Sequence, residues 1–324
     1  MNNVEITPGF GALINGAEPS DLDDPQFRAD ARALWRASGG LLAVRGVNLA
    51  SIGPELLMGW SENFGAVERA SQAGRERSMV EGFPILRIGN IRDEHGKLKA
   101  SLARVPQLAS DDDIRYNPAT RRPVWHTDST FREHPPIGSV FHCKQAPGAG
   151  GETLFADTRR AFAALPASTQ SSLRSLEAVC SLAHHDKKIN SYSPDYPILT
   201  PEQRAANPPR RVPIVLEHPD TGIPALYGLN SSTCAVVAKG EPVPGERMDE
   251  FDLEGVEDES VLILRDLLPH ITSSDFTVKW EWQPGDIVVW DNRCTMHSAT
   301  GYDYDAYTRE MWRLTLVPDA AANA

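Results

Sequence analysis

The most constraining feature lies near the C-terminal end, where FTVKWEW, DIVVW and REMWRLTLV follow one another within residues 276–317. Each run is short, rich in β-branched and aromatic residues, and bounded by polar or turn-forming residues, which is how strands read. QPGD between the first two predicts a tight turn, because proline presets one backbone angle and glycine tolerates the other. Earlier runs repeat the pattern: LLAVRGV (41–47), PILRIGNI (84–91), IGSVFHC (137–143) and the end of PGAGGETLFAD (147–157). RVPIVLEH (211–218) and PALYGLN (224–230) flank PDTG, a hairpin signal. No strand leads into a Gly-rich phosphate loop of the GxGxxG type. The pattern therefore predicts a mainly β chain, a sandwich or jelly roll with covering helices, rather than a doubly wound nucleotide-binding sheet.

The covering helices are fewer. DPQFRADARALWRAS (24–38) puts Phe27, Ala31, Leu34 and Trp35 on one face, and Gly39-Gly40 ends it. Residues 53–64 predict a second helix, stopped by Gly65. Residues 158–178 read as helical with a break at Pro166, and 260–274 as helical up to Pro269. Between 93 and 123 the periodicity fades into HGK, a DDD run and NPATRRP, which predicts a long loop suited to a lid. The Asp111–Asp113 run reads as a solvated face. With no internal repeat, residues 1–324 are expected to form a single domain.

Composition bounds the partners. The net charge of −12 argues against a nucleic acid or an anionic membrane, either of which needs a basic face, but leaves room for a local cationic pocket. The four cysteines, Cys143, Cys180, Cys234 and Cys294, form no CxxC pair, so a disulfide framework or zinc knuckle is not expected. No leader pattern opens MNNVEITPGF and no run reaches the roughly 18 apolar residues of a membrane span, so a cytoplasmic protein is expected.

The candidate chemistry begins in WHTDST. In an extended segment His126 and Asp128 point the same way, because alternate residues share a face. They could begin a metal site or simply form a hydrogen-bonded pair at a strand end. Two ligands are too few for tight binding, so a third must lie elsewhere. Most other histidines sit in polar turns, beside prolines, or, like His142, inside a strand pattern that suits a packed core residue. His184 and His185 are adjacent, so in a strand they would face opposite ways. His297 differs, because it follows a buried strand in GDIVVWDNRCTMH. Two histidines and one carboxylate would make the facial set of non-haem Fe(II) oxygenases, which leaves metal positions open. In TREMWRLTLV, Arg309 and Arg313 share a face. Two guanidiniums on an apolar strand need anions, supplied either by a bound carboxylate or sulfonate or by internal salt bridges.

Taken together, WHTDSTF, GGETLFADTRRAFAALP, WDNRCTMHSAT and TREMWRLTLV resemble the taurine dioxygenase/2,4-dichlorophenoxyacetate dioxygenase family of Fe(II)- and 2-oxoglutarate-dependent oxygenases. TPGFGALINGAE and ILRIGN fit as well, so the resemblance runs from about Val4 to Val317. It implies a double-stranded β-helix, the cupin-like variant of a jelly roll. It implies iron held by His126, Asp128 and His297, with 2-oxoglutarate and O2 as co-substrates. Thr153 matches the threonine that hydrogen-bonds 2-oxoglutarate, and Arg309 the arginine that pairs with its distal carboxylate. Arg313 matches the position that binds the anionic group of the prime substrate. The implied reaction hydroxylates a small anionic substrate as 2-oxoglutarate becomes succinate and CO2, and cleaves a carbon–heteroatom bond where the product fragments. Relatives are commonly homo-oligomers, dimers or tetramers.

Some stretches depart from the pattern. SATGYDYDAYT, between His297 and Arg309, is acidic and tyrosine-rich where relatives carry extra arginine or histidine. NSSTCAVVAKGEPV (230–243) is closer to the phenoxyacetate branch. Arg122 stands where the taurine enzymes carry a substrate-contacting asparagine. A carboxylate held by Arg313 with help from Arg122 is therefore expected as substrate, and a sulfonate or alkyl sulfate is the alternative. A silent jelly-roll binding protein would have lost a ligand residue. A zinc hydrolase would have no use for Thr153 and Arg309.

Overall fold

The computed structural model describes residues 2–69, 76–101, 116–117, 122–123, 125–192, 198–229, 232–242 and 267–319. Two sheets face each other. The larger has eight strands in the order Asn3–Thr7, Phe10–Ala17, Leu41–Gly46, Ile287–Asp291, Gly138–Gln145, Glu310–Val317 and Ala66–Val67, with Leu86–Gly89 also paired to Glu310–Val317. All its pairs are antiparallel except Phe10–Ala17 with Leu41–Gly46. The smaller sheet runs Thr277–Trp280, Thr153–Asp157, Thr295–Ala299. This is the jelly roll expected from the strand pattern, and both faces of its central strands are covered. In IVVW, Ile287 and Val289 pack toward the helices with Trp35, Trp60 and Leu314, while Val288 and Trp290 pack between the sheets with Phe141, Phe155 and Met311. That two-sided burial explains why the run is continuously apolar rather than alternating.

The N-terminal helix, Pro25–Ala37, starts where Asp24 accepts a hydrogen bond from the Phe27 N–H at 2.7 Å, with proline at its first position. Gly39 and Gly40 end it with φ of 81° and 74°, a region that disfavours side chains. A second helix covers Pro54–Ser61.

Several expectations are corrected. QPGD is a tight turn, but it carries the chain from the small sheet to the large one, because Thr277–Trp280 and Ile287–Asp291 pair in different sheets. The 158–178 helix divides into Thr158–Ala163 and Ala167–Leu173, and its last residues enter a strand, Leu176–Cys180. Proline and a following polar cluster stop the helix, and the β-branched AVC end pairs with Arg210–Pro213. That pairing splits the 211–218 run, leaving Val215–Glu217 to form the PDTG hairpin with Pro224–Leu226. His184 and His185 lie on a helix, Leu182–Tyr192, not a strand. The helix at 267–271 passes through Pro269, and 260–266 lie outside the described residues. The strands Asn3–Thr7 and Phe10–Ala17 were not read as strands from sequence. Of the expected lid, 102–115, 118–121 and the Asp111–Asp113 run lie outside the described residues. Arg122 is in a two-residue strand paired with Tyr116–Asn117, and its side chain is outside the description.

Candidate metal centre

The smaller sheet builds the site at its open edge. His126 and His297 exchange both backbone hydrogen bonds, 2.9 Å from His126 N–H to the His297 carbonyl and 2.8 Å in return. Directly opposed residues of an antiparallel pair project to one side, so the two imidazoles lie together, with ring centroids 4.2 Å apart. Trp125, buried in the neighbouring core, anchors the segment. Two residues on, Asp128 enters a turn whose next residue, Ser129, has φ of 48°, unusual for a residue with a side chain. The extended reading of WHTDST therefore holds only as far as Asp128. Asp128 Oδ1 lies 3.8 Å from Nε2 of His126 and 3.8 Å from Nε2 of His297. One ligand atom from each of the three lies within 4.8 Å of the others, a spacing that could hold a single ion.

The carboxylate is divided between two tasks. Asp128 Oδ2 accepts from Ser139 Oγ at 3.0 Å and forms an ion pair with Arg313 Nη2 at 2.9 Å, while Oδ1 faces the imidazoles. Burial alone would push the Asp128 carboxyl up. Arg313, His297, His126 and Ser139 together outweigh burial and hold it well below the usual carboxylate range. Burial and the neighbouring His126 push His297 down to about 3, so its imidazole is neutral at physiological pH, the form that binds metals.

The arginine strand, Glu310–Val317, runs across the large sheet opposite. The same-face expectation holds for its middle: Met311 packs between the sheets and Arg313 meets Asp128, whereas Trp312, Leu314 and Leu316 face the helices. Arg309, just before the strand, is 6% exposed and its Nε has no hydrogen-bond partner. No carboxylate pairs with it among the described residues. Burial pulls its pKa below the ordinary value, yet a guanidinium stays charged at neutral pH. Arg313 is different, since the internal salt bridge left open from sequence exists, and it is made with Asp128. Thr153 is buried, and its hydroxyl accepts from the Trp282 indole N–H at 3.0 Å, which leaves its own proton for another acceptor. Sequence reading gave Trp282 no role; its only signal was a second tryptophan in WEW. Buried donors without partners gather here, at His297 Nδ1, Tyr302 Oη, Arg309 Nε and Arg313 Nε. Buried polar groups are ordinarily paired, and these four belong to the site's own residues and the segment beside them, while others, such as those of Trp35, Trp60 and Trp280, are scattered elsewhere.

His142 is a packed core residue, as its strand pattern suggested. It is fully buried with Nε2 3.0 Å from the Leu49 carbonyl, and burial with Lys144 nearby pushes it down to about 3. A second group with metal-ligating residue types, His218, Asp291 and Cys294, is fully buried. Here His218 Nε2 meets Asp291 Oδ2 at 2.9 Å, and His218 Nδ1 accepts the Asp220 N–H at 3.2 Å. Arg293 grips both oxygens of Asp291, at 2.9 and 2.7 Å.

A jelly roll carrying two imidazoles and one carboxylate at a single point is the architecture of non-haem metal oxygenases. The family described as "Taurine catabolism dioxygenase TauD, TfdA family" matches residues 2–315, and the chain belongs to it, which makes it an oxidoreductase. It is 28% identical over 321 residues to a (S)-phenoxypropionate/alpha-ketoglutarate-dioxygenase of Delftia acidovorans, covering 98% of this chain and 96% of that one. It is 32% identical over 309 residues to an alpha-ketoglutarate-dependent 2,4-dichlorophenoxyacetate dioxygenase of Burkholderia sp. (strain RASC), covering 94% and 88%. Its fold matches the crystal structure of AAD-2 in complex with Mn(II) and N-oxalylglycine, with a TM-score of 0.68, 23% identity, and coverage of 98% and 97%. No helix among the described residues is long and apolar enough to cross a membrane.

Proposed function

We propose that this chain is an Fe(II)- and 2-oxoglutarate-dependent dioxygenase that hydroxylates a small, carboxylate-bearing organic anion. The observation that carries the reading is the combination of three converging ligand atoms with a buried arginine that has no carboxylate partner among the described residues. The donor set fits iron: two imidazoles, that of His297 held neutral, and one carboxylate oxygen left facing them. His126, Asp128 and His297 would hold it. When bound, the iron with 2-oxoglutarate and O2 supplies the oxidation, releasing succinate and CO2 as a substrate C–H bond gains a hydroxyl group.

The protein's own residues bind, orient and exclude. Arg309 takes the distal carboxylate of 2-oxoglutarate, and the Thr153 hydroxyl, oriented by Trp282, donates to the co-substrate. Phe155, Trp290 and Met311 form a dry wall behind the site, with the His297 ring 4.8 Å from that of Trp290. Ser139 and Arg313 hold Asp128 Oδ2, so that Oδ1 keeps one direction. Arg313 also offers its positive charge to the carboxylate of the prime substrate, with Arg122 as a second candidate from the neighbouring segment. Where the hydroxylated carbon bears an ether oxygen, the product falls apart, and the ether is cleaved. The phenoxyalkanoate relatives support a carboxylate as the recognised group. The reading includes a cytoplasmic homo-oligomer, supported by the family resemblance and by four buried free thiols.

The test is an anaerobic titration of Fe(II)-loaded protein with 2-oxoglutarate, followed by the visible metal-to-ligand charge-transfer band, and then a panel of carboxylates, sulfonates and sulfate esters. A band that appears with 2-oxoglutarate and shifts with carboxylates is the expected result. Bound iron without a band would overturn the reading. A shift with sulfonates or sulfate esters alone would move the substrate class. Turnover with Zn(II) in place of Fe(II) would point to hydrolysis.

A further inference from the structure

We propose that Asn90 is the positioning residue for Arg309, clipping the tyrosine-rich segment before it so that the guanidinium is delivered at a fixed depth. The inference rests on the reading of Arg309 as the residue that binds 2-oxoglutarate. Arg309 needs such help because the sheet does not hold it. The ladder begins one residue later, at Glu310. On the side of the central strand, the register with Gly138–Gln145 shifts between Glu310 and Met311, so regular pairing has already loosened there. Upstream, ten residues separate Ala299 from Glu310 and contain no helix or strand. A long buried side chain on such a backbone would have its charged end wherever the loop drifted.

Asn90 closes this gap with its side-chain amide and its backbone N–H. Its Oδ1 accepts the Arg309 N–H at 2.8 Å. Its Nδ2 donates to the Tyr304 carbonyl at 2.9 Å and to the Tyr307 carbonyl at 2.8 Å. Its backbone N–H donates to the Arg309 carbonyl at 3.2 Å. One residue thus fixes both ends of the 304–309 segment and both backbone groups of Arg309, the N–H and the two tyrosine carbonyls through its side chain and the Arg309 carbonyl through its backbone. The approach is made possible by Gly89, where a Cβ would collide with the Arg309 carbonyl. An amide is the side chain that fits, since it presents two donors to two carbonyls and one acceptor to an N–H. The rings of Tyr302 and Tyr304 lie 4.2 Å apart and tilted by 39°, where the clipped segment begins, and Tyr302 is near Arg309. ILRIGN belongs to the family resemblance, yet its asparagine had no role from sequence.

The experiment compares wild type, Asn90→Ala and Asn90→Asp, all Fe(II)-loaded. The aspartate keeps the acceptor for Arg309 but turns a carboxylate toward two carbonyls. Both variants are expected to raise the Kd and KM for 2-oxoglutarate about tenfold, the scale of one to two lost hydrogen bonds. The kcat at saturating 2-oxoglutarate, the KM of the prime substrate and the iron affinity are expected to stay within about twofold of wild type on the same scale. An unchanged Kd in a folded variant would overturn the clip. So would a joint fall in kcat, iron affinity and thermal stability, which is what mere scaffolding produces. Hydrogen exchange in the wild-type protein needs no variant: the Arg309 amide is expected to exchange slowly before 2-oxoglutarate is added, and fast exchange would overturn the clip on its own. If wild type itself gives no band with 2-oxoglutarate, the proposed function fails instead, and the two failures are distinguishable.

Discussion

His126–Asp128–His297 with Arg313, and His218–Asp291 with Arg293, are built from the same residue types and differ in what is left over. In the second group both imidazole nitrogens of His218 are used, and Arg293 occupies both oxygens of Asp291. Nothing remains for a ligand, and the group ties the PDTG hairpin to the end of the Ile287–Asp291 strand. In the first, the arginine meets Asp128 at Oδ2 and also donates to Ser139 Oγ at 3.4 Å, and the other carboxylate oxygen, Oδ1, faces two imidazoles. Residue composition does not separate a metal site from a buried ion pair; unspent hydrogen-bonding capacity does. The same contrast runs between the two arginines of one strand end, Arg313 paired inside the protein and Arg309 with no carboxylate among the described residues.

The largest expected effect would break the comparison if it failed. His126→Ala should abolish turnover and reduce iron affinity by more than about 100-fold, beyond the range reached by outer-sphere changes; metal analysis after dialysis together with a succinate assay reads both. Normal turnover would remove His126 from the site. Asp291→Asn should do the reverse. It should cost about 3–5 kcal/mol of stability, as expected when a buried pair loses one charge, and leave iron affinity in the remaining folded protein unchanged. Urea unfolding and iron titration measure the two sides, and a loss of iron without a loss of stability would make the second group a metal site after all.

The arginines sharpen the contrast. Arg309→Ala should weaken 2-oxoglutarate binding by about 30-fold or more, from about 2–5 kcal/mol for a truncated buried charge pair. Arg313→Gln should instead raise the KM of the prime substrate by about tenfold, or about 1.4 kcal/mol, and leave the 2-oxoglutarate Kd near wild type. Identical behaviour of the two variants in separate titrations would show that the division of labour is wrong.

A last effect concerns His142, buried but outside both groups. Its folded pKa of about 3 lies below the ordinary 6.5, so the unfolded chain binds its proton first. Stability from this residue is therefore complete above about pH 6.5 and lost as the pH falls toward 3, with a slope of up to about 1.4 kcal/mol per pH unit. His142→Gln, which keeps a donor for Leu49, should flatten the pH dependence of the urea midpoint between 6 and 4. An unchanged slope would mean that other groups, His297 and the carboxylates among them, govern acid unfolding in that window.

Much of this protein was legible in its sequence, for physical reasons. Burial on both faces forces a continuous apolar strand, so IVVW read as a strand of the interior. Alternation put Met311 and Arg313 on one face, because a strand leaves no other choice. Asp24-Pro25 and Gly39-Gly40 bounded a helix through capping and left-handed backbone. The convergence of His126 with His297 was suggested by residue type and family pattern, since 171 positions of chain carry no distance information by themselves. Register alone decided it, through the paired hydrogen bonds that set the two imidazoles side by side. Tertiary structure also decided that QPGD joins two sheets, that Arg313 serves Asp128, that Trp282 orients Thr153, and that Asn90 holds Arg309. Each of those contacts joins residues distant in sequence. Their geometry is fixed by how the sheets face each other, and no local propensity encodes it.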